Sequence, residues 1–166
     1  MNLNRSKEEM MEQQRLPDFM ALYNAWAQLS PGPRAELKRV ATPDGLIEEP
    51  AFYRLFSGRG EKEWEKQAWQ RLIFCLPCIK HTEEKVSLGK ALARYKSGSK
   101  GLSEKRLFQV IRSEFPNDMI QLRRILKMAE LTVNWEIAAK QLWYWNQRAK
   151  RDLLEDFFMN QSKQTN

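Results

Sequence analysis

The chain has 166 residues, 42% of them hydrophobic and 30% charged, with 28 Lys or Arg against 21 Asp or Glu for a net charge of +7. That composition supports a packed core without disulfide or metal staples and excludes a disordered chain. No apolar run approaches the roughly 18–20 residues that span a bilayer, the polar start shows no signal-peptide core, and the two cysteines suit the reducing cytoplasm expected as its location.

Residues 1–15 read as a frayed tail or loose helical extension. Pro17 suits a first helical turn, and Phe19, Leu22, Tyr23, Trp26 and Leu29 then form one amphipathic stripe. Ser30-Pro31-Gly32-Pro33 stops that helix. A short helix over residues 34–40 follows. Thr42 and Pro43 then read as an N-cap with proline at the first helical position. Pro50 opens a further turn of helix through Phe56, ended by Ser57-Gly58. Residues 61–76 begin with alternating charges and become apolar along Trp69, Leu72, Ile73 and Leu76, with Pro77 as the limit.

Residues 87–95 predict another short helix. Ser97-Gly98-Ser99-Lys100-Gly101 is the best linker candidate in the chain. Ser103 then caps a helix through Glu114, Phe115-Pro116 breaks it, and Asn117 or Asp118 caps the next one through Glu130. Asn134 caps a final helix that, if continuous to Asn160, would be roughly 40 Å long at 1.5 Å per residue. Nothing alternates with period two. The predicted class is all-α, two small helical bundles (lobes) packed together with no β-sheet. The lobes would span residues 16–96 and 97–160, between tails at 1–15 and 161–166.

Charge is distributed unevenly over these helices. Residues 87–151 hold fourteen Lys or Arg and five Asp or Glu, whereas residues 1–86 hold thirteen of each sign. A local excess of +9 attracts a polyanion, and nucleic acid is the first to consider. Helical spacing places Arg106 and Arg112 opposite the apolar face of Leu107, Phe108 and Ile111. It turns Arg123, Arg124 and Lys127 toward solvent, and lines up Lys140, Tyr144, Arg148 and Arg151. Such Arg side chains fork onto phosphates, and contacts of this kind hold a backbone without reading bases. Charge runs on helices are often only solvated faces laced by i,i+4 pairs, but here too few acids are available to pair.

Other features point to structure. Cys75-Leu76-Pro77-Cys78 has redox or metal spacing, yet no βαβ setting surrounds it and His81 is the single histidine, so four zinc ligands are lacking. Most of the six tryptophans sit on apolar stripes and read as core. Carboxylate clusters such as Glu48-Glu49, Glu83-Glu84 and Glu155-Asp156 are too few for a two-metal nuclease. No phosphate loop or hydrolase motif occurs. No enzyme, cofactor, metal or small-molecule substrate is expected.

Several runs then occur in a telling order: Ala21 to Trp26, Pro50 to Leu55, Phe74 to Leu76, Ser87 to Ala93, Glu104 to Arg112, Asp118 to Leu126, Trp143 to Trp145 and Leu153 to Phe157. Together they resemble the CasB family, the small subunit of the type I-E CRISPR Cascade complex, from about residue 19 to 158. The resemblance implies a non-catalytic subunit in antiviral defence. Two copies would sit along an RNA-guided complex, against its backbone subunits and large subunit. There they would stabilise crRNA, target DNA and the displaced strand of the R-loop without sequence preference. It carries the family's basic surface onto Lys38, Arg39, Arg54, Lys90, Arg106, Arg112, Arg123, Arg124, Arg148 and Lys150. Residues 1–16, 61–66 and 96–100 lie outside the family pattern. The rival expectation is a helical spacer whose basic face docks acidic surfaces of other subunits.

Overall fold

A computed structural model describes Lys7 and residues 16–56 and 62–161. The expectations for residues 1–15 (Lys7 aside), for the Ser57-Gly58 stop and for residues 162–166 fall outside that range. Helix α1 (Phe19–Gln28) starts at Asp18, whose carboxylate accepts from the Ala21 N–H at 2.9 Å. The Ser30 to Pro33 stop is also the start of α2 (Pro31–Arg39), because prolines fit a first turn whose N–H groups have no helical partner. A 3₁₀ turn (Pro43–Glu48) opens on the Thr42 cap, and α3 (Pro50–Leu55) follows. Helix α4 (Glu63–Cys75) runs into a 3₁₀ turn (Leu76–Cys78) that accommodates Pro77.

The second half holds α5 (Leu88–Arg94), α6 (Glu104–Arg112), α7 (Asn117–Ala129), α8 (Trp135–Tyr144) and α9 (Gln147–Gln161). Ser87 and Asn134 cap α5 and α8 through their side chains, at Lys90 N and Ile137 N. Ser103 flanks α6 without a side-chain bond, and Asn117 is the first residue of α7 rather than its cap.

Two expectations are corrected. The fold is mostly helical but not free of sheet. Two-residue strands β1 (Lys80–His81) and β4 (Thr132–Val133) pair in parallel, while β2 (Lys96–Ser97) and β3 (Lys100–Gly101) form a hairpin. Segments this short carry no period-two pattern, and the hairpin occupies the expected linker, with Gly98 at φ +65° in its turn. The last helix is also not continuous. It breaks at Trp145, which adopts φ +23°, with neither glycine nor proline there to announce it.

The halves on either side of residue 96 share one buried cluster that includes Leu22, Leu37, Phe74, Leu92, Met119, Trp135 and Phe157. Helix α5 packs along α9, α6 along α7, and α4 lies against α7 and α8. Five of the six tryptophans are buried, as the core reading expects, and Trp64 alone is half exposed at 51%.

Helix α7 ends on Glu130 in the left-handed region (φ 48°, ψ 54°), where the backbone N–H returns to the Leu126 carbonyl. Glutamate is strained there and glycine is not. Glu130→Gly should therefore raise stability by up to about 1 kcal/mol, read as a higher urea midpoint. A lower midpoint would show that the Glu130 side chain contributes more than its backbone loses.

Candidate nucleic-acid interface

Eleven of the fourteen basic residues in 87–151 are exposed, Lys90 is half-buried, and Arg123 and Lys150 are buried. Among the described residues Lys150–Asp118 is an ion pair at 3.3 Å, and His81 Nε2 hydrogen-bonds Glu83 at 3.1 Å. None of the exposed cations is paired, so the solvated salt-bridge lacing expected of an ordinary charged helix is absent among these residues. Arg106 reaches across to α7, with Nη1 at 3.0 Å from Met128 Sδ. Arg112 lies over the Phe108 ring at 4.9 Å.

Arg123 departs from the sequence expectation. It is 6% exposed, not turned to solvent. Its guanidinium donates to the carbonyls of Leu37 and Lys38, both at 2.9 Å, and to the Val40 carbonyl, and it lies 4.3 Å from the centre of the Phe74 ring. A cation on the last carbonyls of α2 satisfies groups that have no helical partner and complements the helix dipole. Arg123 is thus the anchor of α2, and its donors are directed away from any phosphate. The same anchor brings the exposed Lys38 and Arg39 to α7, which carries exposed Arg124 and Lys127.

Lys150 is corrected in the same way. At 6% exposure its ammonium donates to the Ser113 carbonyl at 3.0 Å and pairs with buried Asp118. Asp118 also accepts from the Trp145 indole N–H at 3.0 Å and from the Met119 N–H at 2.7 Å. Opposite them, Arg71 of α4 donates to the carbonyls of Leu142 and Trp143, each at 2.7 Å, which closes the end of α8. Burial pulls Arg71 down to about 10, with the Asp118 charge opposing the shift, so it stays cationic at neutral pH.

These ties hold the α8–α9 elbow, and in its angle lies a groove of about 710 Å³. Lys140 and Tyr144 from α8 and Arg148 from α9 line it together with Asn146, Asp152 and Asp156. Of the predicted stripe, Lys140, Tyr144 and Arg148 come together as two arms of a concave site, whereas Arg151 is not part of its lining. Arg54 lies in a different groove, among Asp18, Glu65 and Trp69. Arg71 escaped the sequence reading, and Asp118 entered it only as a candidate helix cap. The usable signal for Arg71 was a lone arginine inside the apolar run from Ala68 to Leu76.

The Cys75 thiol is fully buried and pushed up by that burial, with Cys78 next in effect, and its Sγ is 4.0 Å from Met119 Sδ. His81 Nδ1 accepts from the Trp135 N–H at 3.0 Å and Nε2 faces Glu83, so the ring holds the start of α8 to β1. Both cysteine-pair and histidine geometry thus have packing and capping roles.

Fold and surface together define a helical protein with a neutral half and a half that displays unpaired cations. Comparison with known proteins specifies it further. The profile of CRISPR-associated protein Cse2 matches residues 33–158. The chain is 42% identical over 157 residues to the Cascade subunit CasB of Escherichia coli strain K12, spanning 88% of this chain and 96% of that one. Its fold is similar, at TM-score 0.79 and 44% identity, to a chain in the crystal structure of E. coli Cascade bound to a PAM-containing double-stranded DNA target, covering 88% and 97% of the two chains. The chain belongs to the Cse2 (CasB) family, as the ordered sequence runs indicated.

Proposed function

We propose that this chain is the non-catalytic small subunit of an RNA-guided Cascade surveillance complex. In this reading it grips crRNA, target DNA and the displaced strand of the R-loop without sequence preference, beside the backbone and large subunits and a second copy of itself. The observation that carries the reading is the set of exposed cations on α6–α9 and at the end of α2 that have no acidic partner among the described residues. Leaving like charges unpaired weakens a compact fold, and a polyanion supplies the missing partner. The relative's assembly with Cascade on a DNA target supports the same partner. With sequence choice delegated to the guide RNA, electrostatic contacts suffice.

The contacting residues in this proposal are Lys38, Arg39, Arg106, Arg112, Arg124, Lys140 and Arg148, with Lys90 at the margin. Arg54 is kept apart because of its acidic groove, and Arg123 and Lys150 act from inside. Exposed Ile47, Tyr53 and Trp64 lie in the neutral half, and they suit contact with neighbouring protein subunits. The spacer reading is different: in it the basic face itself docks acidic surfaces of other subunits.

The test is R-loop lifetime on a matched target, for complexes assembled with and without the subunit, at two salt concentrations. If the subunit covers about six phosphates, its share of the affinity should fall on the order of 10³-fold between 50 and 200 mM salt. Arg124→Ala with Arg148→Ala should shorten the lifetime alike for every target sequence. Equal lifetimes with and without the subunit, at both salts, would leave only the spacer.

A further inference from the structure

We propose that the buried polar cluster of Arg71, Asp118, Trp145 and Lys150 is a positioning device: it sets the α8–α9 elbow so that Lys140 and Arg148 converge on one stretch of nucleic-acid backbone. The inference rests on the nucleic-acid reading above and goes beyond it by assigning a task to residues that touch no ligand.

In an uninterrupted helix, residues 140, 144 and 148 would drift around the axis by about 40° at each step and climb about 6 Å each time. Their side chains would share one slowly turning face on a convex surface. The break at Trp145 restarts the helix, and both arms then face the same groove. Asn146 caps the restart locally, its side-chain oxygen accepting from the Ala149 N–H at 2.9 Å, but a cap does not by itself hold the bulky Trp145 at φ +23° and ψ 48°. Strain of this kind persists only where the surroundings over-determine it.

The surroundings do so from four directions. Arg71 fixes the carbonyls of Leu142 and Trp143. Asp118 takes the Trp145 indole N–H. Lys150 joins Asp118 to the Ser113 carbonyl and lies 5.9 Å from the Trp145 ring centre. Gln141 crosses the elbow to the Ala149 carbonyl at 3.0 Å. A well-packed apolar cluster would stabilise a junction at least as well as a buried ion pair. What directed bonds add is a single angle, which a surface that must match phosphate spacing requires. Asp152 and Asp156 on the α9 wall of the groove repel phosphate from that side, so the arms must meet the backbone at their basic edge.

The experiment is a set of double-mutant cycles in the fully assembled complex, with R-loop lifetime as readout near 0.15 M salt. In the wild-type background Arg148→Gln should shorten the lifetime about fivefold, the weight of roughly one phosphate contact. In the Lys150→Met background the same change should cost less than about twofold, because Arg148 is no longer held in place. Arg39→Gln, remote from the elbow, should keep its full effect in both backgrounds, which separates positioning from general loosening. Lys150→Arg should restore the coupling. If circular dichroism shows that Lys150→Met does not fold, Trp145→Phe, which removes only the indole donor, takes its place with the same expectation. An Arg148 effect undiminished in the elbow variants would overturn the inference and leave the nucleic-acid reading intact. Silence of both Arg148→Gln and Lys140→Gln in the wild-type background would instead overturn that reading for this groove, and the inference with it.

Discussion

Arg123→Ala should lower the stability of the free protein by about 2–4 kcal/mol, while Arg124→Ala should leave it within about 0.5 kcal/mol of wild type. The two are neighbours in sequence and identical in chemistry. Arg123 is buried with its guanidinium on three carbonyls around the end of α2 and over the Phe74 ring. Charge-assisted bonds of this kind are worth more than neutral ones, and their loss strands the carbonyls of Leu37, Lys38 and Val40. For a domain of this size each kcal/mol shifts the melting temperature by roughly 2–4 °C, so Arg123→Ala should melt roughly 5–15 °C lower. Arg124, exposed on the same helix, should show the reverse phenotype, with unchanged melting and a shorter R-loop lifetime. Arg123→Lys should recover little, since one ammonium cannot reach three carbonyls as the planar fork does. Equal melting temperatures for the Arg123→Ala and Arg124→Ala proteins would refute the anchoring role.

Gly89→Ala should be a second large effect, with no charge involved. A β-carbon there would lie 2.5 Å from Asp156 Cβ, 2.7 Å from the Leu153 carbonyl oxygen and 3.0 Å from the Phe157 nitrogen. Two of those atoms are α9 backbone, which cannot swing aside as a side-chain end can. Helices α5 and α9 approach as closely as they do because residue 89 has no side chain. Forcing them apart should cost about 1–3 kcal/mol or more, seen as a lower urea midpoint. Because α9 carries Arg148 and Lys150, the displaced helix should also shorten R-loop lifetime. Gly32→Ala, where nothing lies within 4 Å of the added carbon, is the matched control and should be near neutral. An unchanged midpoint for Gly89→Ala would mean that the two helices have room the structure does not show.

The helices that pack by one apolar face were legible in order and nearly in extent. The stripe from Phe19 to Trp26 buries Phe19, Leu22 and Trp26, and the caps at Thr42, Ser87 and Asn134 sit where their side chains suggested. These features depend on spacing within a few residues, which local chemistry sets. The paired strands were not legible. Strand β1 exists only because β4, 52 positions away in the Lys80–Thr132 pair, arrives beside it, and the β2–β3 hairpin is local but too short for a period-two pattern.

The mostly helical class, the family and the concentration of positive charge in residues 87–151 can all be read along the chain. Each is a property of composition, periodicity or an ordered set of local runs, and none needs a distant residue to be true. Which of those cations face outward depends on contacts between distant segments. Arg123 and Arg124 are separated by about 100° around one helix, and what lies on the Arg123 side is the end of α2, more than eighty positions earlier. Likewise the residues from Asn134 to Asn160 read as one helix, but Arg71 takes the Leu142 and Trp143 carbonyls, Asp118 takes the Trp145 indole N–H, and Asn146 caps the restart. Charge is additive along a chain, but its direction is set by which buried carbonyl or carboxylate folding brings within hydrogen-bond reach.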